Sequence, residues 1–134
     1  MKITKVEVMA TNVPFRGSEG NTGEIALGKW ELCRFVIVKV HTDEGIVGYG
    51  ESAPFARLSP LGQKPIIDVL IDYVAPSVIG LDPFNTEEIW KAMDRATPDN
   101  AQAKGAVDMA LYDIMGKKTG QPACNFLGGA VWHE

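Results

Sequence analysis

Hydrophobic and polar positions change their period about halfway along the chain. In residues 3–13, Val6, Val8 and Ala10 alternate with Lys5, Glu7 and Met9, the two-residue period of a half-buried strand. Leu32–Thr42 repeats the pattern more strongly, with Val36, Val38 and Val40 on one face and Phe35, Ile37, Lys39 and His41 on the other. Thr42-Asp43-Glu44-Gly45 then supplies a turn in which Gly45 can take positive φ. Alternation resumes over residues 46–51, where Val47 and Tyr49 oppose Gly48 and Gly50, so strand, turn and strand predict an antiparallel hairpin. Two segments break the pattern. Residues 15–29 carry Gly17, Gly20, Gly23 and Gly28 with few large apolar side chains, and residues 52–62 carry Pro54 and Pro60 around Phe55, Arg57 and Leu58. A loop as long as the first is usually either functional or disordered.

Beyond residue 62 the period becomes helical. Pro65 suits a first turn, and Ile66, Ile67, Leu70, Tyr73 and Val74 form one apolar stripe that Pro76 and Gly80 should close. Asn85 is placed to cap a second helix, with Glu88 reaching back three residues later, Ile89, Trp90 and Met93 buried, and Pro98 ending it. A third helix buries Ala103, Ala106, Val107, Ala110, Leu111, Ile114 and Met115, residues small enough to let it approach a sheet closely. Lys117 and Lys118 fall in its last turn, and Gly120 with Pro122 stops it. Strands followed by helices predict an α+β fold, a three-stranded antiparallel meander with three helices after it. No internal repeat or low-complexity stretch is present.

Composition narrows the classes. The 134 residues are 46% hydrophobic and 22% charged, with a formal net charge of −4, figures that suit one soluble globular domain and not a disordered chain. The acidic balance offers no basic footprint for nucleic acid or an anionic membrane. No apolar run approaches the roughly 20 residues that span a bilayer, and the N-terminus lacks a signal peptide's apolar stretch. Cys33 and Cys124 form no Cys-x-x-Cys pair. They read as two buried thiols in a reducing cytosol, with a single disulfide as the other reading, and the expected location is cytoplasmic. A complete (β/α)₈ barrel needs roughly 200 residues or more and does not fit in this length.

Chemical motifs are sparse. Gly45, Gly48 and Gly50 give the dinucleotide fingerprint in the wrong order and inside a hairpin, so they read as glycines that let another backbone approach the sheet. Gly116-Lys117-Lys118-Thr119 looks like half a phosphate loop, but Leu111 stands where its first glycine should be, and the segment ends a helix. The two histidines, His41 and His133, share no metal-ligand spacing with Cys or carboxylates, and His41 reads as a solvated strand residue. Asp108 and Asp113, five apart on the third helix, read as caps or ion pairs, and Glu51 as a buried carboxylate bracing the turn that follows it, with a catalytic carboxylate as the other reading. No nucleophile, base and orienter assemble from these residues.

The order of elements nonetheless resembles a known pattern. Ile46-Val47-Gly48-Tyr49-Gly50-Glu51 runs towards Pro54; Asp82-Pro83 precedes the second helix and Trp90 lies in it. The run from Ala106 to Lys118, followed by Gly120-Gln121-Pro122 and Leu127-Gly128-Gly129, is the most specific part. Together these resemble the N-terminal capping domain of the enolase superfamily, in its mandelate racemase and muconate lactonizing enzyme branch, over nearly the whole chain. The resemblance implies a two-domain isomerase or lyase in which residues 1–134 cap a modified (β/α)₈ barrel expected after residue 134. In that family the barrel holds Mg²⁺ through acidic side chains, and its Lys or His bases take the proton α to a substrate carboxylate, giving racemisation, epimerisation, cycloisomerisation or dehydration. The Lys-x-Lys motif and the metal ligands belong to that barrel, and Lys117-Lys118 on a helix end is no substitute. The 134 residues alone are therefore expected to be inactive, with no catalytic residue and no bound metal of their own.

What the resemblance assigns to the cap is the lid. Residues 15–29 and 52–62 would close over the barrel mouth and meet the distal part of a carboxylate-containing substrate, excluding water once closed. Phe15, Arg16, Phe55 and Arg57 are the substrate-binding candidates, with Leu58 as further apolar contact and Glu19 or Glu24 as further charge selectors; Trp30 reads as core. The expected partners are the barrel and further copies in a homo-oligomer, with no nucleic acid and no membrane. Two other readings use the same residues: a stand-alone α+β binding module, and a non-catalytic subunit that docks on a separate barrel.

Overall fold

Valines at every second position make the centre of the sheet. The computed structural model describes residues 1–14, 24–25, 28–29, 32–54 and 62–130. The chain forms β1 (Ile3–Pro14), the short β2 (Glu24–Ile25) and β3 (Gly28–Lys29), then β4 (Leu32–Thr42) and β5 (Val47–Ser52). Strands β1, β4 and β5 make one antiparallel sheet in that order, the expected meander, with limits within a residue of those read from the alternation. The pair β2 and β3 forms a separate two-residue ladder inside the segment read as an uninterrupted loop. Val36, Val38 and Val40 are fully buried on the face that meets the helices, each contributing about 1.5–3 kcal/mol by burial as an upper figure. The hairpin turn closes as expected, with Gly45 at φ +78° and the Gly45 N–H donating to the Thr42 carbonyl at 3.1 Å.

The helical half departs from the sequence reading in its first element. Helix α1 (Gln63–Val69) runs into a π turn over Leu70–Val74 and then α2 (Ala75–Val78), so Pro76 lies inside the helical segment and does not end it. The Ala75 N–H reaches back five residues to the Leu70 carbonyl. A proline has no N–H to donate and its ring presses on the carbonyl four residues before it; a wide turn placed just ahead of Pro76 relieves both problems. The wider turn also keeps strict i+4 positions in line, so Ile66, Leu70, Val74 and Val78 are buried while Tyr73, expected in the stripe, is exposed.

Helices α3 (Thr86–Ala96) and α4 (Ala101–Thr119) follow, and a 3₁₀ turn spans Ala123–Leu127. Asn85 caps α3 by position, but its side chain does not bond a backbone N–H: its amide donates to Glu88 Oε2 at 2.6 Å, and its carbonyl accepts the Ile89 N–H at 3.1 Å. Ile89 and Met93 are buried, whereas Trp90 is half-buried and donates its indole N–H to Asp108 Oδ1 at 2.8 Å. All seven small and branched residues expected on the inner side of α4 are buried. Gly120 at φ +69° ends the helix, its N–H on the Gly116 carbonyl.

The seam between sheet and α4 depends on absent side chains. A Cβ at Gly50 would fall well inside the contact distance of the Ala106 carbonyl oxygen, and one at Gly48 would collide with the Ala110 carbonyl and the Ile114 side chain. The outer edge of β5 is then clamped by an i, i+4 pair on the same helix. Asp113 Oδ2 accepts the Tyr49 N–H at 2.8 Å, Lys117 Nζ donates to the Val47 carbonyl at 2.8 Å, and the two side chains bond each other at 2.6 Å. An edge whose polar groups are taken in this way offers less template for a foreign strand. The ion pair expected for Asp113 is thus present, while Asp108 serves an indole.

Candidate functional site

Both interrupting segments attach to the same end of the sheet. Pro14 pairs with Leu32, and Ser52 pairs with Val36, so the two attachment points lie four residues apart along β4, about 13 Å at strand rise. The first turn of α1 is fastened there as well: the Gln63 side-chain amide donates to the Phe35 carbonyl at 2.7 Å and to the Thr11 carbonyl at 3.3 Å. Sequence reasoning passed over Gln63, since a lone amide side chain at a helix start carries no pattern. Phe15, Arg16, Phe55 and Arg57 lie outside the described residues, as do Glu19, Trp30, Leu58 and His133. Phe15 and Phe55 are bonded to Pro14 and Pro54, which belong to this frame.

The face of the sheet turned away from the helices changes character along its length. Towards this end it presents Val13, Cys33, Phe35, Met9 and Ile37, of which Val13 and Met9 are exposed. Towards the other end stand Lys5, Glu7, Lys39 and His41. The hydrogen bond that Lys5 donates to Glu7 holds its carboxyl below the usual carboxylate range, opposed by desolvation and supported by weaker attraction from the Lys5, His41 and Lys39 charges. His41 is half-buried, not solvated as read, with Nε2 at 3.5 Å from Glu7 Oε1. The Tyr49 ring lies beneath Lys117 Nζ at 4.7 Å and Lys39 Nζ at 5.6 Å. Glu51, expected to be buried, is exposed, because it falls on the face opposite Gly50 and Ser52. Ser52 is buried, and its hydroxyl has no hydrogen-bond partner among the described residues.

Lys104 is a buried cation that the sequence reading missed. It sits on the flank of the inner stripe of α4, 3% exposed, with Nζ at 2.6 Å from Asp94 Oδ1 and 3.4 Å from the Thr97 carbonyl. Its role is to close the α3–α4 connection, where Asp99 and Asn100 both adopt positive φ. Only the wheel position of Lys104, among alanines and beside the buried arc, could have signalled it.

Among the described residues no three His, Cys, Asp or Glu side chains converge to hold a metal ion, so these residues do not fit a Mg²⁺ site. Cys33 and Cys124 are free and half-buried, so the disulfide reading does not hold, nor is either thiol fully buried. No helix among the described residues is long and apolar enough to cross a membrane.

Comparison with known proteins places the fold. The N-succinyl-L-Arg/Lys racemase of Bacillus cereus is 37% identical over 134 residues, which is all of this chain and 35% of that protein. Its crystal structure superposes with a TM-score of 0.90 over 100% of this chain and 35% of that one, at 36% identity. The dipeptide epimerase of Enterococcus faecalis, solved with Mg and the dipeptide L-Leu-L-Tyr, gives a TM-score of 0.86 at 36% identity, covering 96% of this chain and 35% of that one. The cis-3-hydroxy-L-proline dehydratase of Roseibium aggregatum is 35% identical over 131 residues, 98% of this chain and 35% of that protein. The chain thus spans about a third of the length of these relatives. The family model for the mandelate racemase / muconate lactonizing enzyme N-terminal domain matches residues 5–128. The chain belongs to the mandelate racemase and muconate lactonizing enzyme family, within the enolase superfamily, as an N-terminal domain of that family.

Proposed function

We propose that residues 1–134 form the capping, substrate-selecting domain of a Mg²⁺-dependent isomerase or lyase that removes a proton α to a carboxylate. The observation that carries this reading is the common attachment of residues 15–31 and 55–61 to one end of the sheet, beside an apolar stretch of the face turned away from the helices. Two segments rooted at one end of a sheet can close over a site together and exclude water from it. In this reading Phe15 and Phe55 give apolar contact to the distal part of the substrate, and Arg16 and Arg57 select its charge. The proton-transferring residues and the Mg²⁺ belong to a C-terminal barrel, and the 134 residues alone have no activity. The racemase, epimerase and dehydratase names of the relatives support an isomerase or lyase acting on a carboxylate-bearing small molecule.

The test joins this chain to the C-terminal two thirds of the B. cereus racemase in place of that enzyme's own N-terminal domain. The joined protein should turn over a carboxylate substrate, and EDTA should abolish that activity while leaving the Tm of the 134-residue chain alone unchanged. Phe55→Ala in the joined protein should shift the ratio of kcat/KM between two substrates that differ in their distal group by roughly tenfold. Unchanged selectivity across a panel of such substrates would remove the lid role.

A further inference from the structure

Residues 15–31 and 55–61 are bounded by Pro14, Leu32, Pro54 and Gly62. The sheet holds the first three. Pro14 is paired with Leu32, and Pro54 lies two residues beyond Ser52, which is paired with Val36. The fourth has no strand to hold it, because Gly62 opens helix α1 and brings no capping side chain. Gln63, the next residue, makes the attachment instead. Its amide nitrogen has two hydrogens, and it donates to the Phe35 carbonyl at 2.7 Å and to the Thr11 carbonyl at 3.3 Å. Thr11 and Phe35 face each other on one rung of the β1–β4 ladder. That rung is three residues from Pro14 and Leu32, about 10 Å at strand rise. A carbonyl has two lone pairs, so each can accept the amide without giving up a ladder bond. Among the described residues no other side-chain hydrogen bond joins α1 to the sheet. Lys64 pairs with Asp68 on α1 itself, and Ile66 adds apolar burial.

We propose that Gln63 is a positioning residue for substrate selection. Its amide holds the C-terminal root of residues 55–61 against the rung that leads to both roots of residues 15–31, and so sets the distance between the two segments. This inference rests on the capping reading above and adds the side chain that couples one segment to the other. A short tether passes a displacement of its root to the side chains along it, and a binding constellation tolerates only about 0.5 Å of such displacement. Glutamine suits the task because it is neutral and brings two donors to two acceptors. Methionine would fill a similar space without fastening the helix, and glutamate would set carboxylate oxygens against carbonyl oxygens.

The experiment compares Gln63→Met and Gln63→Glu with the unsubstituted protein in two measurements. In the 134-residue chain, hydrogen exchange read by mass spectrometry should be faster by about tenfold in the amides of α1 and unchanged in those of β5 and α4. In the chain joined to the C-terminal two thirds of the B. cereus racemase, each substitution should shift the ratio of kcat/KM between two substrates that differ in their distal group by about fivefold or more. Over the same comparison kcat for the better substrate should stay within roughly twofold. A variant that is merely less stable loses activity towards both substrates alike and leaves their ratio where it was, so the ratio reports position and not stability. Unchanged exchange in α1, or an unchanged ratio in both variants, overturns the role of Gln63. If Phe55→Ala still shifts the ratio when neither Gln63 variant does, the capping reading stands without it. If none of the three substitutions shifts the ratio, both fall.

Discussion

The seam between β5 and α4 and the sheet end that carries residues 15–31 and 55–61 are parts of one sheet under opposite demands. At the seam, backbone meets backbone: Gly48 and Gly50 lie against the carbonyls of Ala110 and Ala106 with no room for a methyl group. At the other end the sheet presents exposed apolar positions, Val13 and Met9, and a single amide side chain, Gln63, ties the first helix to it. The first region can hardly change without loss of the fold, whereas the second leaves open what it meets. The proposed capping role needs both, since a loop selects substrate only when its roots do not move. The two regions should therefore respond to mutation in different measurements: the seam in stability, the sheet end in selectivity.

The largest effect is expected at Gly50. Gly50→Ala drives a methyl group into the Ala106 carbonyl, and either α4 lifts from the sheet or the strand bends, at about 3 kcal/mol or more. Urea unfolding should show this as a lower midpoint or as failure to fold. A midpoint equal to that of the unsubstituted chain would mean that the seam is looser than described. Phe55→Ala should do the reverse, leaving the midpoint in place while shifting selectivity, and a fall of several kcal/mol would move Phe55 from the lid to the core. Asp113→Ala comes next, at about 1–2 kcal/mol, because it removes a charged acceptor from the Tyr49 N–H and takes the carboxylate partner from Lys117. Asp113→Asn should recover part of that, since an amide oxygen can still accept the N–H; equal loss in both variants would assign the effect to the ion pair with Lys117.

How much of this was legible depended on whether the determinant was periodic. The valines of β4, the alternation of Gly48 and Gly50 with Val47 and Tyr49, and the inner stripe of α4 are repeats at two or 3.6 residues, and burial follows from them directly. The π turn was not legible, because Pro76 signals only that an ordinary turn cannot pass; whether the helix stops or widens depends on Leu70, Val74 and Val78 finding a core to bury against. Glu51 was misread for a related reason: its parity placed it on the open face, but its position at a strand end suggested a brace. The buried Lys104 is paired with Asp94 on the preceding helix, a pairing between two helices that the pattern of either one does not encode. Phe15, Arg16, Phe55 and Arg57 follow only from loop composition and family resemblance, and composition has no geometry.

The smallest effect is the most discriminating, because it applies the same change, glycine to alanine, on the opposite side of the same helix. Gly105 lies mid-helix in open space with helical φ, so a methyl group there meets nothing and the unfolded chain loses freedom. Gly105→Ala should raise the stability of the 134-residue chain by about 0.5–1 kcal/mol. That sign, set against the loss expected at Gly50, separates a glycine that backbone contact requires from one that faces open space. Thermal unfolding of the chain with and without each substitution measures the two signs directly. A loss at Gly105 comparable to that at Gly50 would mean that the outward side of α4 is as closely packed as the seam.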